Sequence, residues 1–425
     1  MTSSRMTLAS VDYGRTEVLS GRVFAKNSRG MSSLMAFLSI LLVSLVAVAG
    51  VGVVNASAVV ATVQVIGNPT NLVYDSGRGE VFLLYSGNGG AGGVQSIFDS
   101  NNTAGGYAGL GLVSSLAYDS AKGEVFVSLG GQNMVAIVND LTFAVKDVSV
   151  GQNPGGIAYD SGAGEVFVAN SGSDTVSVIS DTSNTVVANI SVAASPLAVA
   201  YDSAKGEVFV LSSNSTGSLG SILSVISDSS NKVVATTSVG SGAGTMAFDS
   251  GKGEVFVQSF ESIQVISDGN NKVVASIPLG TGDTYAMAYD SGKGLVLFTD
   301  DHGLNVISDS SNSIVALGVA AAGCAPWGLA YDSATNEVFV ANYGPNEIGQ
   351  YTVTVLSDAS LATSSTTSTT STTPQTTGTS LTSSSKSGGS SGIPEFPAQL
   401  GFALLVTVVI VMSYVFARRG TRIGK

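Results

Sequence analysis

From residue 59 to 358 the chain alternates short apolar runs with small polar or glycine-rich punctuation, and the alternation has a long period. A stretch such as Glu165-Val-Phe-Val-Ala-Asn170 or Thr175-Val-Ser-Val-Ile-Ser180 is too short for a helix and rich in β-branched residues, which predicts strands. The intervening Ser161-Gly-Ala-Gly164 and Ser171-Gly-Ser-Asp174 are turn chemistry, because glycine reaches positive φ at little cost. One unit reads as four strands: Pro154–Asp160, Glu165–Asn170, Thr175–Asp181 and Thr185–Val192. Seven units are in phase. Their anchor aspartates are 75, 119, 160, 202, 249, 290 and 332, at steps of 44, 41, 42, 47, 41 and 42. Four antiparallel strands repeated at a period of about 40–50 residues predict an all-β, seven-bladed β-propeller over residues 58–358.

The pattern also predicts how the ring closes. The last unit runs Val353-Thr-Val-Leu-Ser-Asp358 and then enters a polar tract, so its fourth strand is missing. Val59-Val-Ala-Thr-Val-Gln-Val-Ile-Gly67, ahead of the first unit, matches the fourth strand Lys272-Val-Val-Ala-Ser-Ile-Pro-Leu-Gly280. An N-terminal strand is therefore expected to complete blade seven and leave no open edge.

Outside the repeats the pattern changes twice. Residues 1–57 contain an apolar run at 34–54, preceded by basic residues and followed by Ala56-Ser57-Ala58, which predicts a secretory signal peptide or an uncleaved signal anchor. Residues 359–396 are a Ser/Thr-rich stalk; 23 of the 34 residues from 359 to 392 are Ser or Thr, too polar to fold on a core. Residues 397–417 read as a transmembrane helix, and the basic tail 418–425 (Arg418, Arg419, Arg422, Lys425) places the C-terminus in the cytoplasm with the propeller outside. The expected location is the cell membrane, through a single C-terminal anchor.

The repeats, with FVAN at Phe167–Asn170 and Phe339–Asn342 and VISD at Val178, Val225, Val265 and Val306, resemble the YVTN-type β-propeller repeats of microbial and archaeal surface proteins. Ile393-Pro-Glu-Phe-Pro397, followed by the apolar segment and Arg-Arg, resembles the PEF-type C-terminal sorting signals of archaeal surface proteins. The first resemblance implies a seven-bladed propeller without any single activity; the second implies export, with the helix open to exchange for a lipid anchor.

Charge and composition narrow the chemistry. Charged residues are 11% of the chain and the net charge is −12. Residues 58–358 carry 27 acids and 8 bases, or −19, which argues against nucleic acid as a partner. One Cys (Cys324) and one His (His302) exclude a disulfide within the chain and any Cys- or His-rich metal centre. The repeated D-S-G-x-G-E lacks the ligand alternation of a calcium loop and reads as a turn, with a metal role as the competing reading. No nucleophile–base pair is recognisable, so no catalytic residue, metal or cofactor is assigned. The expected function is a surface binding, adhesion or envelope module whose partners are the membrane and glycans, peptides or other envelope proteins. The alternatives are an extracellular propeller hydrolase or oxidoreductase, or a purely structural envelope component.

Departures from the repeat concentrate in blades six and seven. Leu295 replaces the repeat's glutamate, Thr299-Asp-Asp-His-Gly303 replaces a neutral loop, and the only Trp lies in Gly323-Cys-Ala-Pro-Trp-Gly328. The candidate ligand residues are Asp283, Tyr285, Asp300, Asp301, His302, Trp327, Tyr343 and Asn346, an aromatic platform with polar acceptors suited to a sugar or peptide. Drift among redundant repeats, with Trp327 packed between blades, is the competing reading. Asn101, Asn189 and Asn214 lie in N-x-[ST] sequons and are glycosylation candidates.

Overall fold

In the computed structural model, residues 59–361 are described except for 214–219, 280–283, 320–324 and 345–348. The proposed signal, transmembrane and tail segments, and the stalk beyond residue 361, lie outside the described residues, and no helix among the described residues is long and apolar enough to cross a membrane.

Seven four-stranded antiparallel sheets form, one per sequence unit. Six are continuous in sequence: 68–109, 115–149, 154–191, 196–238, 246–278 and 286–319. Blade seven takes three strands from Pro326–Asp332, Glu337–Asn342 and Tyr351–Ser357, and its fourth from Val59–Val65. The closing pair runs antiparallel from Val59 opposite Leu356 to Val65 opposite Tyr351, as the missing strand required. The fold continues slightly past the expected boundary at 358. Asp358–Ser360 form a short 3-10 turn, and Leu361 behind it is buried in the same apolar cluster as Leu295, Leu304 and Leu356.

Each blade alone has two apolar faces and nothing to cover them, so the core is the set of contacts between neighbours. Seven apolar clusters result, one at each junction between successive blades. A phenylalanine from the second strand of every blade is fully buried: Phe82, Phe126, Phe167, Phe209, Phe256, Phe298 and Phe339. In blade six the usual place is held by Leu297, packed toward blade seven, while Phe298, one residue on, packs toward blade five. The parity of a strand makes that shift a change of face. Removing one such ring would cost about 3–5 kcal/mol.

The D-S-G-x-G-E element acts as the turn it resembles. In all seven copies Oδ1 of the buried aspartate accepts the backbone N–H groups two and three residues on, as Asp160 does from Gly162 (2.8 Å) and Ala163 (3.0 Å). The residue closing the turn has positive φ: Gly79, Gly123, Gly164, Gly206, Gly253 and Gly294, with Asn336 in blade seven. A Cβ at Gly79 would stand 2.6 Å from Asp99, so conformation and space both call for glycine.

The same edge of each blade is tied to its neighbour. Tyr118, Tyr159 and Tyr289 donate to the aspartate after their own third strand (Asp140, Asp181 and Asp309, at 3.2–3.3 Å). Burial first, and then the anchor aspartate of the preceding blade, pushes these hydroxyls above the ordinary phenol range. Lys122–Asp181 (2.8 Å), Lys205–Asp268 (2.9 Å) and Lys293–Asp358 (3.0 Å) pair a turn lysine with the next blade. Tyr74 stands beside Asp332 in the same way, so the contact between blades seven and one repeats the others.

Candidate functional site

Strand direction gives the ring two faces. The D-S-G turns, the turns between third and fourth strands, the start at Val59 and the exit past Ser357 share one face, called here the exit face. The connections from strand two to three and from each fourth strand to the next blade share the other, the loop face. Five of the described candidate residues gather there with Tyr343.

Trp327 is put there by a local irregularity. The first strand of blade seven pairs Pro326 with Asn342 and Gly328 with Ala341, leaving Trp327 as the extra residue of a bulge. A bulge re-aims the side chain it carries, so the indole stays 38% exposed inside an otherwise buried strand. Similar irregularities follow Pro69, Pro154 and Pro196, where the side chains are Thr70, Gly155 and Leu197. Of these four irregular strands only that of blade seven carries an aromatic ring here, and blade six has Tyr285 at the same distance before its anchor aspartate. Gly328 beside it is obligatory, because a Cβ there would fall 1.6 Å from the Thr70 carbonyl oxygen of blade one.

Tyr343 follows directly on the second strand of blade seven and stacks on Trp327, with ring centroids 4.2 Å apart and planes 22° apart. Its backbone N–H donates to the Ala325 carbonyl (2.9 Å), and Gly344 N–H donates to Asn68 Oδ1 of blade one (3.2 Å), which fixes the loop on both sides. Tyr285, entering blade six, lies 5.7 Å from Trp327 at 37°. Its backbone N–H donates to the Thr299 carbonyl (2.9 Å), and its hydroxyl donates to Asp301 Oδ1. Next to Asp301, Asp300 accepts the His302 backbone N–H (2.8 Å) and stands 3.6 Å from His302 Nδ1. His302 and Asp301 are exposed and Asp300 is half-buried. Trp327 thus lies between Tyr343 of its own blade and Tyr285 of blade six, with part of its surface in solvent.

Asp283 and Asn346, also expected here, lie outside the described residues, as do Cys324 and Asn214. Leu295, read with this group in the sequence, is instead buried at the exit edge of the blade six–seven junction, away from the loop face. Asn101 is exposed in the turn before Thr103–Gly109 and accepts from the Thr103 hydroxyl (2.5 Å) and N–H (3.2 Å). Asn189 is exposed on the outermost strand of blade three and accepts from Ser177 Oγ (2.8 Å).

The sequence reading missed the axial cavity, of about 330 Å³, lined by the first strands of all seven blades. Small and apolar residues dominate its wall, among them Gly155, Gly156, Ala198, Gly244 and Gly328, and Tyr285 lies on both the cavity wall and the aromatic platform. Glycine recurring at the start of the first strand was the available signal: a Cβ on Gly156 would meet the Leu197 carbonyl oxygen of the next blade at 2.5 Å. Thr284, one residue before Tyr285, is buried with its hydroxyl unpaired. Among the described residues no three His, Cys, Asp or Glu side chains are grouped to hold a metal ion.

No family model matches the chain. No curated protein matches it by sequence. Among solved structures it is similar to hydrazine synthase of Kuenenia stuttgartiensis, with a TM-score of 0.56 and 15% identity, over 65% of this chain and 93% of that one. Likeness at that identity shows the propeller fold alone, since one fold hosts unrelated sites.

Proposed function

We propose that this chain is a cell-surface binding propeller, of the YVTN-type repeat class, displayed on a Ser/Thr-rich stalk (359–396) and held by the apolar segment 397–417. The observation that carries the reading is the opposition of the two faces. The described chain begins and ends on the exit face, while Trp327, Tyr343, Tyr285 and Asp301 lie on the loop face. Tethers leaving one face would point the other away from the membrane, where ligands meet loop-lined concavities on rigid scaffolds. The PEF-like segment 393–397 would direct export, with the helix either kept or exchanged for a lipid anchor. Asn101 and Asn189, both exposed, would be open to glycans.

Protease added to intact cells that express the full chain is expected to cut within 359–392 and release a propeller-sized fragment. The compact ring, without long loops among its described residues, resists the same protease. Full protection of the chain on intact cells, with cleavage after lysis, would place the propeller inside and end this reading.

A further inference from the structure

The bases on the propeller are sorted by face, although most of its acids lie at the exit face as well. All eight bases of the ring region lie at the exit face. Arg78, Lys122, Lys205, Lys252 and Lys293 are in the turns between first and second strands, and Lys146, Lys232 and Lys272 are at the starts of fourth strands. The connections that make up the loop face contain no Lys or Arg at all. Asp174, Glu261, Asp300 and Asp301 are among the groups there, and the last two adjoin the aromatic platform. Among the described residues, Trp327 has Tyr343 stacked on it at 4.2 Å and Tyr285 tilted against it at 5.7 Å, and the Tyr285 hydroxyl donates to the Asp301 carboxylate.

We propose that the Tyr285–Trp327–Tyr343 platform binds an organic cation, a substituted ammonium or a guanidinium group, seated on the exposed indole with Asp301 as its counter-charge. The proposal rests on the reading of the loop face as the binding face and names the ligand class of that site. The negative quadrupole of an aromatic face attracts such a cation, and tryptophan does so best. Stacking on Tyr343 and the bulge at Trp327 hold the ring in place before the ligand arrives, so little ordering is left to be done on binding. Asp300 and Asp301 attract a cation with no base on the same face to oppose them, over roughly a Debye length of 8–10 Å at moderate salt.

Trp327 is the only tryptophan in the chain, so indole emission from the full-length protein reports this site alone. Choline and a lysine derivative blocked at both backbone ends are titrated beside the isostere of choline that has carbon in place of nitrogen, and beside a neutral oligosaccharide. The expected result is a saturable change of emission with at least one cation, weakened by salt, and binding of the isostere at least about tenfold weaker. Response to choline alone or to the lysine derivative as well tells a free ammonium from a side chain of a peptide, and either supports the proposal. Asp301→Asn should weaken the cation about fivefold or more, whereas Asp174→Asn, on the same face but outside the platform, should leave it within about twofold. Equal binding of cation and isostere, or an Asp301→Asn protein that is folded and binds as well as the parent, overturns the proposal. An emission change with the oligosaccharide and none with either cation overturns the ligand class and leaves the binding face standing. Protease release from cells tests display independently, so the two readings can fail separately.

Discussion

The arc of blades two to five and the seam between blades six and seven are built from the same unit and closed differently. Along the arc the glutamate opening each second strand is half-buried against the following blade. Glu124 lies beside Asn184, Glu165 beside Asn231 and Glu254 beside Asn312, each asparagine at positive φ in the turn between third and fourth strands. At the seam this turn does not exist in blade seven, because its fourth strand comes from the other end of the chain. A glutamate in blade six would face no asparagine. Leu295 stands there instead, buried in one cluster with Leu361 and packed with Val59, the two residues at which the described chain ends and begins. The contrast teaches that departures from a repeat have two sources. Leu295 answers to ring closure on the exit face, whereas Trp327, Tyr343 and Asp301 depart on the loop face, where closure makes no such demand.

Three experiments bear on that contrast. The largest effect is expected from deleting 59–65, which strips blade seven of its outer strand and uncovers Tyr351–Ser357. Thermal unfolding should lose its single cooperative transition, since a ring of blades has no cover for an open junction. Unchanged melting would mean that the closing strand is dispensable and the seam is no different from any edge.

A smaller effect should separate the two junction types. Leu295→Glu restores the repeat residue where no asparagine faces it, and should destabilise by about 2–4 kcal/mol through burial of an unpaired carboxylate. Glu165→Leu, the reverse change in the arc, removes a carboxylate already strained by burial along with its asparagine contact, and should stay within about 1 kcal/mol of the parent. Denaturant unfolding of the two variants checks this. Equal losses would show that the seam tolerates the arc residue.

The smallest effect is on pH. Burial pushes the carboxyls of Glu124, Glu165, Glu207, Glu254 and Glu337 above the ordinary range, with neighbouring lysines or asparagines pulling part of the way back in most. A carboxyl whose folded pKa is raised holds more protons folded than unfolded in the window above about 4.3, so stability falls as pH rises through that window. Asp181 acts oppositely: although burial works against it, Lys122 and its hydrogen bonds hold it low, and its contribution is lost on acidification. Five raised glutamates outnumber it, and Tm should be higher near pH 5 than at about pH 7. Glu165→Leu should flatten that slope, and Leu295→Glu should steepen it. A Tm that falls between pH 7 and 5 would show these carboxylates to be hydrated.

The ring itself was legible from the chain. The anchor aspartate recurs seven times, the E-V-F strand and the glycine closing its turn six times each, and the text at 59–67 matches the repeated fourth strand, so each local signal is checked by its copies. That redundancy determines blade number and closure before any coordinate is known, because identical neighbours can bury their faces only against one another. The candidate site was legible as an exception to the pattern: Tyr285, Asp300, Asp301, His302, Trp327 and Tyr343 stood out as unusual, and strand order placed them on one face. Tertiary structure alone decided which exceptions meet. The bulge that turns Trp327 outward depends on pairing with Asn342 and Ala341, and its contact with Tyr285 crosses from blade seven to blade six. Leu295 was separated from them for the same reason. Whether a departure serves closure or a site depends on which face its strand end reaches and what the neighbouring blade presents there, and neither is a property of the residues beside it in sequence.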